Sequence, residues 1–314
     1  MGISSRTPPH TPDDRIAPDV NYAVADRDLK YYIFDWDDNI LHMPTRIHLE
    51  RLTEDGRWVP HAVSTAAFSV IRKDRDHYRP PDNSWEAAFR EFRDIEIEDE
   101  NVFLRDTRNA IDAVVEGRQA AGPSFERFRR TLVEGRIFAI VTARGHSPTV
   151  IRQAVEYFIR AVLTPAERRE MRRNLRGYIA CFAHESPARS DDEVLTYYLD
   201  HNKYHGVMSP EFIELSGSTV TASPDTEGGK QFAIRDFVEH IIGIARLRGL
   251  DKPMSVGFSD DDEGNVKAVE AYIREALAHE FPGVKFVVYC TSDPARTAER
   301  KVVVRGQLNL DLPD

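Results

Sequence analysis

Six short apolar runs separated by stretches of helical periodicity set the architecture open to this chain. They are Tyr31 to Phe34, Ile137 to Val141, Gly177 to Phe182, Met254 to Phe258, Lys285 to Cys290 and Lys301 to Val304. Runs this short, without polar alternation, suit strands buried on both faces. Between them, Phe125, Phe128 and Leu132 repeat at helical spacing, with Ser124 as a start signal and Gly135 as a stop. Ser147-Pro148 opens a second helix with an inner stripe of Ile151, Val155, Phe158 and Val162. Ile234, Phe237, Val238 and Ile241 form a third stripe, and Val266, Val269, Ile273 and Leu277 a fourth. Strands alternating with helices predict an α/β fold, a doubly wound and mostly parallel sheet covered on both faces. Ligands of such folds bind beyond the carboxyl ends of the strands.

Two stretches interrupt the alternation. Residues 42–120 hold a hairpin-like pair, Ile47 to Leu52 and Trp58 to Val63 around Glu54-Asp55-Gly56, followed by helical patterns near Ser84 to Phe92 and Arg105 to Val115. They are expected to form an inserted cap, with 29–41 and 121–314 as the core and 184–228 as a smaller insertion within it. Residues 1–28 are rich in Pro, Asp, Ser and Arg without an apolar period and read as a flexible arm. No internal repeat is visible.

Composition narrows the function classes. The net charge of -10 opposes long-range steering to a phosphate backbone, so a nucleic-acid partner is not expected. Cys181 and Cys290 are the only cysteines, which suggests a reducing, cytoplasmic setting without a disulfide framework. The amino terminus lacks a signal-peptide apolar core, and no run approaches the roughly 18 apolar residues of a membrane span. Gly2 lacks the full myristoylation pattern, because position six is Arg6.

Four polar clusters follow an apolar run or open a helix: Asp35/Asp37/Asp38, Thr142, Lys230 and Asp260/Asp261/Asp262. Phosphoryl transfer to a side chain requires an unprotonated nucleophile, a cation for the phosphoryl oxygens, further donors to those oxygens and an acid for the leaving group. Asp35 can attack phosphorus and form an aspartyl phosphate. Asp37, two residues on, shares its face in extended backbone and can protonate the leaving oxygen, then deprotonate water. Asp35 and an acid of the last cluster would hold Mg2+, a hard cation preferring oxygen ligands. Lys230 and the Thr142 hydroxyl would stabilise the equatorial oxygens.

In sequence order, IFDWDDNIL (33–41), FAIVTARG (138–145), GGKQFAIRDF (228–237) and SVGFSDDDEGN (255–265) resemble the motifs of haloacid dehalogenase superfamily phosphatases over roughly residues 31 to 290. The resemblance implies a Rossmann-like core with an inserted cap and hydrolysis of a phosphorylated small or medium metabolite. It implies Asp35 as nucleophile, Asp37 as acid/base with its carbonyl on Mg2+, and Thr142 and Lys230 as phosphate donors. A further metal ligand is Asp260 or Asp261; with Asp261 as ligand, Asp260 orients Lys230 and Asn265 falls where many members carry a second acid. Asp38-Asn39 departs from the Gly-Thr or Glu-Thr of many members, while retention of Asp37 argues for phosphate esters over carbon–halogen bonds.

Other readings use the same residues or nearby ones. A phosphomutase or other phosphotransferase would need the same clusters, as would a nucleic-acid end phosphatase, which the net charge disfavours. A catalytically silent binding protein of this fold would be expected to have lost Asp35, Asp37 or Lys230. A response-regulator receiver places its acids on different strands and ends soon after its Lys, whereas here an acidic cluster follows Lys230. Arg144 and His146 are candidates to reach substrate from the loop after Thr142. Arg72, Lys73, Arg75 and Arg79 could bind an anionic substrate tail, and Asn265 could cap a helix. Cys181, His184, His201 and His205 have spacings compatible with a structural zinc site. Trp36 should pack on the face opposite the two acids.

Overall fold

The computed structural model describes residues 19–97, 99–183, 189–217, 226–296 and 300–306. Gly2, His184, residues 1–18 of the arm and parts of the 184–228 stretch lie outside them. The chain begins with β1 (Leu29–Phe34) and then builds a small unit of β2 (Ile47–Leu52), β3 (Trp58–Val63), α1 (Thr65–Ile71), β4 (Tyr78–Arg79), α2 (Trp85–Ala88), β5 (Glu96–Ile97) and β6 (Glu100–Asn101). It returns through α3 (Val102–Val115), α4 (Phe125–Val133), β7 (Phe138–Thr142), α5 (Pro148–Val162), α6 (Pro165–Tyr178), α7 (Asp191–Asp200), β8 (Lys203–Gly206) and α8 (Pro210–Ser216). The last part is α9 (Thr226–Leu247), β9 (Met254–Asp260), α10 (Glu263–Tyr272), α11 (Ala278–Glu280), β10 (Val284–Cys290) and β11 (Lys301–Arg305).

The main sheet has six strands in the order β11-β10-β9-β1-β7-β8. All neighbours are parallel except β10 and β11. From β1 the chain moves outward to β7 and β8 on one side, then crosses to β9 and β10 on the other. The carboxyl end of β1 is therefore the topological switch point, the place where ligands of such sheets bind.

Strand alternation divides the core into two layers. Phe34, Phe138 and Ile140 face α3 to α7, while Ile33, Ala139 and Val141 face α9 and α10. In the first layer Phe128 is fully buried, with its ring centroid 5.3 Å from Phe34, 5.3 Å from Phe138 and 5.0 Å from Phe158. Its edge-to-face contacts suit the aromatic quadrupole. The mixed α/β fold and largely parallel sheet agree with the alternation in the sequence.

Four local expectations require correction. Gly177 to Phe182 is no strand: it is the end of α6 and a π-helical turn, Ile179–Ala183. A Thr164/Glu167 capping box and Pro165 nucleate α6 firmly, and the helix continues into the apolar run without a breaker. The strand that completes this side of the sheet is β8, only four residues long and too polar to stand out. It lies inside the 184–228 stretch and pairs with β7. Within 42–120, β2, β3 and β4 form a separate sheet over Ile47, Leu49, Val63 and Ala88, but α3 buries Phe103, Ala110 and Ile111 in the main core. Finally, the arm is docked from Asn21 onward, where the Asn21 amide donates to Arg173 O at 3.1 Å and Val24 is buried. A Cβ on Gly177 would lie 2.1 Å from Asn21 O, so only glycine admits this approach.

Among the described residues no helix is long and apolar enough to cross a membrane. The edge strand β8 is tied to α9 by Asp236, whose Oδ2 lies 3.1 Å from both His205 Nε2 and Lys203 Nζ. Burial opposes the Asp236 charge, but hydrogen bonding from His205 and the Lys203 charge outweigh it and hold its pKa down to about 2. A depressed carboxylate stabilises the fold above its unfolded pKa, near 4, and loses that contribution as the pH falls through about 2. Acid unfolding of Asp236→Asn should therefore be less steep over this window than that of the wild type; superimposable curves, followed by circular dichroism, would contradict the tie.

Candidate functional site

Beyond β1 the chain turns sharply. Asp35 N donates to Ser259 O at 3.1 Å, extending the β1–β9 ladder by one bond, and Ile40 N and Leu41 N both reach back to Trp36 O. Asp38 closes the turn with a φ of 53°, a left-handed conformation that Asp tolerates better than most residues. Its carboxylate accepts from Thr65 at 2.7 Å and pairs with His42 at 2.8 Å. Burial opposes the charge, yet these two partners lower the Asp38 pKa, and the hydrogen bond to Asp38 raises that of His42.

Asn39, fully buried, locks the turn to the neighbouring strand ends. Its Nδ2 donates to Asp35 O at 3.1 Å and Ser259 O at 3.0 Å, and its Oδ1 accepts from Thr291 Oγ1 at 2.8 Å. Ser124 N donates to Asn39 O, and a Cβ on Gly122 would come within 2.6 Å of that oxygen. These bonds give Asn39 a structural role at this turn. Trp36 packs away from the acids between Phe103 and Phe128.

Two expected acids meet at Lys230. Its Nζ, 2% exposed in the second turn of α9, donates to Asp35 Oδ1 at 2.9 Å and to Asp260 Oδ2 at 2.6 Å. Asp261 joins them: ligand oxygens of Asp35, Asp260 and Asp261 all lie within 4.8 Å of one another. Asp261 has no ion pair among the described residues. Asn265 approaches Asp260 at 3.4 Å and is not the cap of α10, a role taken by Asp262, which accepts from Gly264 N and Asn265 N.

The electrostatics follow from this crowding. Burial pushes the Asp35 pKa well up despite Lys230, and Asp260, Asp261 and Asp37 add to the rise. Asp261 is pushed up to about 7, by burial first and then by Asp260 and Asp38. Burial works against the Lys230 charge, but Asp260 and Asp35 more than offset it and keep the ammonium protonated. Three carboxylates thus share one close cation, leaving two uncompensated negative charges when all are ionised. Such a buried cluster has the donor chemistry and the charge to coordinate a metal ion.

Asp37 belongs to a second network. Arg144 Nε donates to its Oδ2 at 2.7 Å and Arg144 Nη2 to its Oδ1 at 2.6 Å, a bidentate pair. Thr142 Oγ1 lies 3.3 Å from Asp37 Oδ2. Arg144 Nη2 also donates to Thr45, which in turn donates to Asp106 at 2.7 Å. The guanidinium stacks over Phe92 and Phe103, at 4.4 and 5.2 Å from the ring centroids. At 1% exposure Arg144 is thus a clamp on Asp37, whereas the sequence suggested a residue reaching substrate from a loop. His146 is also buried, bonded to Asp94 at 3.0 Å and stacked on Phe103.

The other candidate groups do not assemble. His205 faces Asp236, His201 bonds Tyr197 O, and neither forms a metal-binding group with Cys181 among the described residues. Arg75 lies over Trp85, while Arg79 pairs with Glu50 and covers Trp58. Sequence reasoning missed Asn39, Thr45, Ser259 and Thr291, each a small polar residue whose partner lies on another element. Only the adjacency of Asn39 to the Asp35 to Asp38 cluster, and of Ser259 to the Asp260 to Asp262 cluster, offered a signal. In comparisons with known proteins, no protein family, curated protein or solved structure matches the chain.

The uncompensated charge makes a two-sided prediction. Without divalent cations and at a pH above 7, where Asp261 is ionised, Asp261→Asn should melt about 2 °C or more above the wild type because it removes like-charge repulsion. Added Mg2+ or Mn2+ should stabilise the wild type and leave the variant nearly unmoved. Equal responses of both proteins in a thermal melt would contradict a cation site at this cluster.

Proposed function

We propose that the chain is a Mg2+-dependent phosphohydrolase of the haloacid dehalogenase type, acting on a phosphorylated metabolite through an aspartyl phosphate at Asp35. The observation that carries this reading is the convergence of Asp35, Asp260 and Asp261 around Lys230 at the switch point of the sheet. The donor set fits a hard divalent cation: all three ligand candidates are carboxylates, and their excess charge matches that of such an ion. Asp35 and Asp261 would hold it, together with the backbone carbonyl of Asp37. When bound, the cation supplies electrostatic shielding between the anionic nucleophile and the anionic substrate.

The residues of the chain divide the remaining work. Asp35 has Oδ1 engaged by Lys230, while Oδ2 has no hydrogen-bond partner among the described residues and is the oxygen that would attack phosphorus. As the Oδ2–P bond forms and the P–O ester bond breaks, the leaving oxygen would take its proton by way of Asp37, whose carboxylate must first exchange one of its Arg144 hydrogen bonds for that proton. In the second half Asp37 takes a proton from water, which attacks phosphorus and releases phosphate from Asp35. Asp260 keeps Lys230 charged and oriented, so that the ammonium stabilises the equatorial oxygens together with Thr142. Arg144 acts through Asp37, fixing the carboxylate in one orientation with two hydrogen bonds and a rigid aromatic backing.

With Mg2+ and an aryl phosphate such as p-nitrophenyl phosphate, the wild type should release phosphate and Asp35→Asn should lose at least about 10³-fold in rate. Arg144→Lys keeps the charge but not the fork, and should lower kcat by about 10- to 100-fold with little change in KM. Equal phosphate release by wild type and Asp35→Asn would end this reading.

A further inference from the structure

Helices α3 to α7 cover one face of the main sheet over β1, β7 and β8, and no residue of β9, β10 or β11 joins that core layer among the described residues. The other face of these three strands is buried with α9 and α10 through Val256, Phe258, Phe286, Val288 and Val304. Strand alternation therefore turns the intervening residues to the uncovered face, and the register lines them up. Tyr32, Gly257, Val287 and Val303 form one row across the sheet, flanked on one side by Lys285 opposite Arg305 and on the other by Tyr289 opposite Lys301. Gly257 and Val287 make a buried floor, whereas Lys301, Val303 and Arg305 are exposed and Tyr32, Lys285 and Tyr289 half-buried. A Cβ on Gly257 would lie 3.1 Å from the Tyr32 ring and 3.5 Å from that of Tyr289, so the bare backbone of β9 lets the two rings approach across it. Exposed Arg127 of α4 bridges them, its guanidinium carbon 5.9 Å from the Tyr32 centroid and 5.8 Å from that of Tyr289.

Charge distinguishes this face further. Arg127, Lys285, Lys301 and Arg305 have no ion pair among the described residues. Glu126, next to Arg127, pairs instead with Arg129, and Asp28 pairs with Lys30 at the margin of the face. From this arrangement we propose that the open face of β9 to β11 binds a segment of single-stranded nucleic acid. Its cations complement a phosphate backbone, and the two rings beside them complement unstacked bases, the combination by which sheet surfaces hold single strands. A duplex hides its base faces, and a run of carboxylates offers nothing for the rings to stack on. The net charge of -10 opposes approach from a distance, but charges beyond about 8 Å are screened at physiological salt, so contact is governed by the local cations. The proposal is independent of the phosphohydrolase reading, because none of these residues belongs to the Asp35 cluster.

The probe is a fluorescent oligothymidylate of about ten nucleotides, titrated with the full chain in the absence of divalent cations and followed by anisotropy. The wild type should bind it saturably and more tightly than a duplex of the same length, and polyglutamate should not displace it. Three phosphate contacts predict binding about 20-fold weaker at about 200 mM than at about 50 mM salt. Lys285→Gln/Lys301→Gln/Arg305→Gln should remove most of that salt dependence, and Tyr289→Leu should weaken binding at least about fivefold. Arg72→Gln/Lys73→Gln, which neutralises an exposed basic pair at the end of α1, should leave binding unchanged. Circular dichroism confirms that each variant folds. Absence of saturable binding to the wild type, equal affinity for the duplex, displacement by polyglutamate, an unchanged salt dependence in the triple variant or unchanged affinity in Tyr289→Leu would each overturn the proposal.

Discussion

Lys230 sets one ammonium between two carboxylates that arrive from different strands, Asp35 after β1 and Asp260 at the end of β9. All three groups are buried, so each charge would be costly alone, and removing one member would strand the others. The pair of bonds fixes α9 against the carboxyl edge of the sheet. Asp261 enters the same space without an ion pair among the described residues. A fold that accepts this arrangement carries electrostatic strain at the place where a ligand can relieve it.

The rest of the site is organised around keeping that cluster in register. Asn39 ties the turn after β1 to the ends of β9 and β10, through Ser259 and Thr291. Arg144 carries the opposite side of the turn, linking Asp37 to Thr45 and through it to Asp106 on α3. For this reason α3 is part of the core: it packs against α5 and supplies both a hydrogen-bond terminus and the Phe103 ring beneath Arg144. Two charged networks, one centred on Lys230 and one on Arg144, thus hold alternate members of the Asp35-Trp36-Asp37 segment.

Much of this was legible because burial leaves a strong mark on sequence. Runs such as Ile137 to Val141 are apolar on both faces, and the acids that follow them stand out by contrast. What escaped notice has physical reasons. Lys203 to Gly206 is an edge strand half of whose residues are polar, so it lacks an apolar run, while Gly177 to Phe182 has one but inherits its helical conformation from α6. The burial of Arg144 and His146 depends on Phe92, Phe103 and Asp94, which are remote in sequence and brought close only by the return of the chain through α3. The role of Asn39 was hidden because Ser259 and Thr291, which it bonds, lie on segments remote in sequence.

In the proposed reaction Asp35 is a phosphoryl acceptor whose charge is managed by Lys230 and a cation at the adjoining acids. Beryllofluoride, a mimic of the phosphoryl group, tests it most directly by 19F NMR of the purified chain. With Mg2+ present, the wild type should give one set of bound fluorine resonances that disappears in Asp35→Asn and on removal of Mg2+. The absence of bound resonances in the wild type, or their persistence in Asp35→Asn, would contradict the account.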